Sequence, residues 1–407
     1  MASSIKIPPR PKAVLVITPY YADHGGSTER IAGRLIADMA SNTQPDAASL
    51  HFTWAASKCA SGLKTKIAMP VEGKNLLMLP MRTLNQLEQF FSLRWPIWTR
   101  RSLRQLYRAV EGVDCLWLHD TFSLGSWLAF RMAKKQHKPI LITKHSGLTK
   151  HPGFLQRAWA TGIDWLITRK MLRQVQQTVF SGDASAEYYY RRVGFTSPVK
   201  IIPNGVDFSV FHPPLREMRR VLRARFALRR EQPVLLFVGR FTAENGLPVL
   251  RELAKLLPDW RFWLAGEGPL NPEKWFLPNL QVFRGRRDAD LAELYQSADL
   301  LLMPGYKPGF PLAAQEAMAC GLPVMCGPAI SEGSDFAKPY LWVVNVDAAS
   351  PKQTASVWAS KLKIGRSLLP LTEAKTELSD FAAACWEWPK IAGYYAEALR
   401  DLCQRSA

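Results

Sequence analysis

Short apolar runs of strand length alternate with amphipathic stretches of helix length along all 407 residues, and this alternation limits the fold more than any other feature. In the first half the strand-like runs are residues 13–18, 76–79, 115–118, 140–143, 178–181 and 199–202. Helix-length segments such as 27–39 and 124–136 lie between them; in the first, Ile31, Leu35 and Met39 fall four apart and share one face. A second series begins after Asn204-Gly205, with strands expected at 234–238, 260–265, 280–283, 300–303 and 324–326. Helices are expected between them at 247–257, 290–297 and 311–319. Continuous apolar strands separated by helices imply parallel sheets covered on both faces. The reading is α/β: two doubly wound, Rossmann-like domains with a boundary near 205–230. In such sheets ligands bind beyond the carboxyl ends of the strands. Two facing domains would place both crevices on a shared cleft, which suits a reaction between two substrates.

A chain of this length with 47% hydrophobic residues exceeds one ordinary core and suffices for two. The most apolar long stretch, 310–330, holds Glu316, Gly321, Gly327 and three prolines, so a lipid-buried helix there would be costly. Residues 13–18 are too short for the apolar core of a secretion signal, and a cytoplasmic location is expected. Cysteines 59, 115, 320, 326, 385 and 403 form no CxxC pair and have no histidine cluster beside them, so buried free thiols are expected rather than zinc. The formal charge of +19 points to an anionic partner: nucleic acid, membrane or phosphorylated substrate.

Several residues sit where a parallel sheet would present them to a ligand. Gly25-Gly26 ends the first strand and opens a helix, so backbone amides there can approach a negative group. Arg240 follows the strand at 234–238, and a guanidinium there can bridge two phosphoryl oxygens. His145 follows the strand at 140–143, and His119-Asp120 follows the strand at 115–118. Glu316 lies on the helix entered through Gly309, Phe310, Pro311 and Leu312, whose first amides are free to face an anion. The dinucleotide fingerprint G-x-G-x-x-G is missing, so no nicotinamide cofactor is expected.

The ordered set of motifs resembles family 4 glycosyltransferases of the GT-B fold. It comprises Ile202-Pro203-Asn204-Gly205-Val206-Asp207, Val238-Gly239-Arg240, Ala265-Gly266-Glu267-Gly268-Pro269, Leu294-Tyr295 with Ala298-Asp299, and Gly309-Phe310-Pro311-Leu312 leading to Glu316. Trp386-Glu387-Trp388 with Tyr394-Tyr395 is similar to the family's closing helix, which crosses back to the first domain. The resemblance implies an acceptor-binding domain over 1–205, a nucleotide-sugar domain over 206–380 and a returning helix over 381–407. It implies that Arg240 holds the donor diphosphate, that Glu316 accepts from the ribose hydroxyls, that His145 meets the reacting sugar, and that the base is read by backbone near Gly285. It also implies a metal-independent reaction that retains anomeric configuration, the leaving phosphate of a UDP-sugar or GDP-sugar acting as base. Gly25, Gly26, His119 and Asp120 become candidates for the acceptor side.

Two positions depart from the family pattern. A lysine is expected where Asn245 stands, and a glutamate where Pro308 stands. Either the protein is degenerate and binds a nucleotide sugar or glycan as a partner subunit, or the site is rebuilt, with Lys307 supplying the missing cation or meeting an acidic sugar. Basic residues also gather with aromatics in three stretches: Arg94, Trp95, Trp98, Arg100, Arg101 and Arg104; Arg157, Trp159, Trp165, Arg169 and Lys170; and Arg216, Arg219, Arg220, Arg223 and Arg225. Such stretches suit an anionic bilayer surface. The expected acceptor is therefore lipid-linked, a polysaccharide or a lipopolysaccharide, met at the inner face of the membrane. Charge alone also permits nucleic acid, but no nucleic-acid-binding motif accompanies it, and none is expected as a partner.

Overall fold

The computed structural model describes residues 10–21, 27–41, 49–57, 75–83, 96–121, 123–145, 154–229, 231–365 and 372–404. It divides into two units, each built on one parallel sheet. The first contains β1 (Lys12–Tyr20), β2 (Leu50–Ser57), β3 (Leu76–Met81), β4 (Cys115–His119), β5 (Ile140–Lys144), β6 (Gln177–Phe180) and β7 (Val199–Ile201). Their order is β3-β2-β1-β4-β5-β6-β7. Interleaved are α1 (Ser27–Ser41), α2 (Arg100–Glu111), α3 (Leu124–Lys135), α4 (Phe154–Gln174) and α5 (Asp183–Val193). Helix starts follow local chemistry: the Thr99 side chain accepts from Ser102 N at α2, and Ser123 accepts from Ser126 N at α3.

The pleat sorts β1 into two cores. Leu15 and Ile17 join Leu116, Leu118, Leu106 and Phe130 on one face, while Val14 and Val16 join Trp54, Trp117 and Leu35 on the other. Strand β2 escaped the sequence reading because buried Leu50, Phe52 and Trp54 alternate with half-exposed His51 and Thr53, breaking the apolar run. Trp54 is admitted to the core because its Nε1 donates to Thr18 Oγ1 (2.8 Å).

The second unit contains β8 (Val234–Val238), β9 (Arg261–Ala265), β10 (Leu280–Phe283), β11 (Leu300–Met303), β12 (Val324–Cys326) and β13 (Leu341–Val343), in the order β10-β9-β8-β11-β12-β13. With them run α6 (Arg216–Arg225), α7 (Leu247–Leu256), α8 (Asp288–Ser297), α9 (Leu312–Ala319), α10 (Pro351–Gly365) and α11 (Thr372–Trp386). The sequence reading also missed β13, a three-residue edge strand paired to β12.

The chain changes unit between Asn204 and Gly205, and again between Glu387 and Trp388. The last helix, α12 (Trp388–Gln404), packs in the first unit, where Ile391, Tyr395, Leu399 and Leu402 join the core shared with α1. The return therefore begins later than the expected residue 381. Trp386 is buried in the second unit's core, and its carbonyl accepts from Val206 N (2.7 Å).

One buried ionic cluster ties α6 to the second sheet. Asp299, just before β11, accepts from Arg219 (2.7 Å), Arg223 (3.2 Å) and Val234 N (2.8 Å). Arg219 and Arg223 are thus internal connectors, not the free membrane-facing charges expected from the sequence. Removing the carboxylate leaves both guanidiniums with backbone carbonyls alone and no opposing charge. Asp299→Ala is expected to cost about 3–5 kcal/mol in denaturant unfolding, whereas Arg220→Ala, in an exposed pair with Glu217, stays within about 0.5 kcal/mol of the parent protein.

Candidate active site

In each sheet the strand order reverses once, between β1 and β4 and between β8 and β11. Connections leave such neighbours in opposite directions, so their carboxyl ends border an open crevice. Arg240 and His119-Asp120 follow strands that border these reversals, whereas His145 follows β5 and Gly285 follows β10, each away from them.

In the second unit Arg240 follows β8 and is exposed, while Glu316, on the helix after β11, is half-buried. Their loops are joined. Tyr306 N donates to Glu244 O (3.1 Å), and Lys307 Nζ pairs with Glu244 Oε2 (2.7 Å). Asn245 Nδ2 donates to Arg240 O (2.7 Å), so the residue standing in place of the family's lysine pins the backbone of the arginine loop. Gly246 is held at φ +86°, and a Cβ there would lie 2.3 Å from Pro304 O. Lys307 is thus held at the loop that carries Asn245, with its charge partly met by Glu244.

Helix α9 opens at Pro311 without a side-chain cap, and Leu312 is exposed beside it. The loop before it is backed by Gly333, where a Cβ would fall 2.2 Å from Phe310 N. The Phe310 ring lies 5.6 Å from Trp386 and packs against the core, so it anchors the loop while its backbone borders the crevice. Gly309 N donates to Ala329 O (3.2 Å), and Pro308 is exposed. Gly285 follows β10; the preceding Arg284 is bidentate to Glu273 (2.7 and 2.9 Å) and lies over the Phe241 ring (5.3 Å). Each of these positions belongs to the carboxyl end of one sheet.

In the first unit Gly25 and Gly26 lie outside the described residues, so the loop after β1 adds nothing here. The other side of the reversal is well defined. His119 ends β4 and is fully buried; His145 follows β5. His119 Nδ1 and His145 Nε2 share one hydrogen bond (2.9 Å), the rings being stacked with centroids 5.2 Å apart. Their outer nitrogens, His119 Nε2 and His145 Nδ1, are buried without a hydrogen-bond partner among the described residues. Burial, helped by His145, holds His119 well below its ordinary value. Burial also pushes His145 down to about 4, opposed by the Asp120 carboxylate and assisted by the Lys144 ammonium. Two neutral imidazoles joined by one hydrogen bond present one donor and one acceptor at their ends, whichever tautomer holds.

Lys144, one residue beyond the apolar run 140–143 and the last residue of β5, completes the cluster. It is 1% exposed, is ion-paired to Asp120, and lies 5.8 Å from the centre of the Tyr189 ring. Asp120 reaches it from φ +69°, a left-handed backbone unusual for a non-glycine residue, and also accepts from Thr121 N (2.8 Å). Thr143 Oγ1 accepts from Trp117 Nε1 (2.8 Å), and the Trp117 ring lies 4.3 Å from His119. The signal was a lysine closing an apolar run, a residue seldom buried unless paired.

The three basic stretches separate on inspection. Trp98 is core: its Nε1 donates to Ser57 Oγ (2.9 Å), and a Cβ at Gly125 would meet its ring at 2.5 Å. Trp165 stacks on Tyr189 (6.5 Å) and is half-buried. Arg94 and Trp95, and the side chains of Arg157 and Trp159, lie outside the described residues. Arg100, Arg101, Arg104 and Arg108 remain exposed along α2; Arg169, Lys170 and Arg173 remain exposed along α4 and line a hollow of about 610 Å³ with Leu166 and Thr196. Among the described residues no helix is long and apolar enough to cross a membrane.

Two Rossmann-like sheets with helices on both faces and a last helix returning to the first unit define the GT-B class. Two family models match the chain: Glycosyltransferase Family 4 over residues 82–210 and Glycosyl transferases group 1 over 232–349, together more than half its length. The chain belongs to this glycosyltransferase family. Among curated relatives it is 28% identical over 204 residues to sulfoquinovosyl transferase SQD2 of Arabidopsis thaliana (48% of this chain, 39% of that protein). It is 30% identical over 226 residues to D-inositol 3-phosphate glycosyltransferase of Paenarthrobacter aurescens (50% and 52%). The chain thus spans about a third to a half of the length of the curated relatives it matches. Among solved structures it is similar to sucrose-phosphate synthase of Thermosynechococcus elongatus (TM-score 0.68, 17% identity, 97% of this chain and 99% of that one). It is also similar to Anabaena Alr3699/HepE in complex with UDP (TM-score 0.66, 12% identity, 96% and 100%). At these identities the structures show the fold.

The histidine pair makes folding sensitive to acid. Both imidazoles are neutral in the folded chain and take up protons on unfolding below about 6.5, the ordinary histidine value. Stability is therefore full above pH 6.5 and declines as pH falls toward about 4. Melting temperature measured from pH 7.5 to 4.5 is expected to fall less steeply in His119→Asn/His145→Asn than in the parent protein.

Proposed function

We propose that this chain is a retaining, metal-independent transferase that moves a hexose-type sugar from a UDP-sugar or GDP-sugar to a membrane-associated acceptor, lipid-linked or of polysaccharide or lipopolysaccharide type. One observation carries the reading: Arg240 lies just beyond β8, and Glu316 lies on α9, the helix that follows the adjacent strand β11, with the sheet order reversing between the two strands. In this reading the Arg240 guanidinium, the uncapped amides of α9 and the Lys307 ammonium stabilise the departing diphosphate. Glu316 accepts from the ribose diol, backbone near Gly285 meets the base, and the leaving phosphate takes the acceptor proton. His145, neutral and paired with His119, hydrogen-bonds a hydroxyl of the transferred sugar, and Asp120 holds its position through Lys144. The named ligand of the Anabaena structure, UDP, supports a nucleotide donor, and the inositol-phosphate relative is consistent with a polar, phosphate-bearing acceptor.

Calorimetry against UDP, GDP and their sugars tests the donor directly. Arg240→Ala is expected to lower turnover by about 10²- to 10³-fold, the scale of one lost charge-stabilising donor. Lys307→Ala is expected to lower it by about tenfold; a silent lysine variant beside an inactive arginine variant rejects the rebuilt site. A chain that binds the nucleotide but neither transfers nor hydrolyses the sugar would instead be a degenerate binding subunit.

The exposed arginines of α2 support attachment to the inner face of the membrane. The helix buries its apolar side, so the contact would be electrostatic rather than inserted. Arg101→Glu/Arg104→Glu/Arg108→Glu is expected to lose about 100-fold or more in co-sedimentation with vesicles containing anionic lipid, each basic residue contributing about 1 kcal/mol. Co-sedimentation of the parent protein that is indifferent to anionic lipid would remove the membrane from the proposal.

A further inference from the structure

Glu316 is held from below. Tyr295, on α8, is 1% exposed, and its phenol donates to Glu316 Oε2 (2.9 Å) across the contact between α8 and α9. The ring is fixed independently, packed edge-on against Phe211 with centroids 6.0 Å apart. Burial, with the adjacent carboxylate, keeps the phenol far above its ordinary value. It therefore remains protonated, and toward Glu316 it acts as the donor. Cys320, one turn along α9 from Glu316, is also buried, and burial together with the same carboxylate holds its thiol protonated. The carboxylate of Glu316 thus accepts from a donor rooted in the core.

An ionised carboxylate accepts but does not donate, and a fixed one accepts from a fixed direction. A flexible glutamate at a crevice would lose rotamer freedom on meeting a diol; one already tethered loses less. We propose that Tyr295 is a positioning residue that orients Glu316 to receive two neighbouring hydroxyls, and so sets the preference of this site for a ribose over a sugar ring lacking them. The inference rests on the reading of Glu316 as the ribose contact and adds to it a residue that touches no substrate.

The test compares binding of UDP and GDP with binding of their 2′,3′-dideoxy analogues, in the full chain, by calorimetry. Tyr295→Phe keeps the ring and removes one oxygen; Tyr295→Met, also without a hydroxyl, stands in should the first variant fail to fold. Affinity for the preferred ribonucleotide is expected to fall about five- to twentyfold, part of the value of a hydrogen bond to a charged group, with the dideoxy analogue unchanged. In turnover the donor KM rises while kcat stays within about twofold. In a Glu316→Ala background the tyrosine change is expected to have no further effect, because the two residues act as one unit. Unchanged selectivity, equal weakening toward both nucleotides, or an undiminished effect in the Glu316→Ala background would each overturn the positioning role. Should Glu316→Ala itself retain the parent's selectivity, the ribose reading of Glu316 fails, and the inference with it.

Discussion

The reversal of strand order at β1/β4 and at β8/β11 is the constraint on which the rest of this structure depends. Right-handed crossovers on either side of a reversal carry their helices to opposite faces, so the loops between cannot cover the same ground. A parallel sheet must bury both faces, and its only polar, accessible rim is at the strand ends. Chemistry-bearing residues therefore have few places to stand. Arg240, Lys307 and Glu316 in one unit, and His119, Asp120 and His145 in the other, occupy those places.

Polar groups set so near an apolar core carry a desolvation cost unless they are paired, and each site here meets it with a local partner. Lys144 is matched by Asp120, His119 by His145, and Tyr295 by Glu316. These pairs also limit motion. An ammonium buried against an aspartate in left-handed backbone fixes the turn that follows β4, and a phenol rooted in the core fixes a carboxylate at the surface. The same logic explains Asn245. It cannot supply the charge of a lysine, but its amide holds the Arg240 backbone, while Lys307 brings a cation to the neighbouring loop.

Most of the fold was legible because the periodic signals are strong where strands are buried on both faces: β4, β5, β8 and β11 read as unbroken apolar runs. Strand β2 was hidden because Trp54 is buried with its indole N–H satisfied by Thr18, while His51 and Thr53 interrupt the run. Strand β13 was hidden because an edge strand of three residues leaves no pattern. Of the candidate sites, the residues following strand ends were readable from position alone. Lys144 was not, because it looks like an ordinary end of its strand, and Tyr295 was named only as part of the Leu294-Tyr295 motif; what gives each its place is a partner 24 or 21 residues away, and that pairing exists only once strands and helices are assembled.

The charge of +19 is the clearest case in which composition underdetermines structure. Arginines that look equivalent along the chain have different fates. In α6, Arg219 and Arg223 are absorbed by Asp299 and by backbone carbonyls around the start of β11, and Arg225 pairs with Glu293. Among the described residues, Arg101, Arg104 and Arg108 instead follow one another at helical spacing on the exposed side of α2, opposite buried Ser102, Leu106 and Val110. A guanidinium that satisfies carbonyls inside a fold contributes little to the field outside it, whereas a row on one helix face adds coherently over a Debye length of about 8 Å. Among the described residues, the row of exposed arginines that shares one helix face is therefore on α2 of the first unit, whereas in the arginine-rich α6 the fold absorbs Arg219 and Arg223.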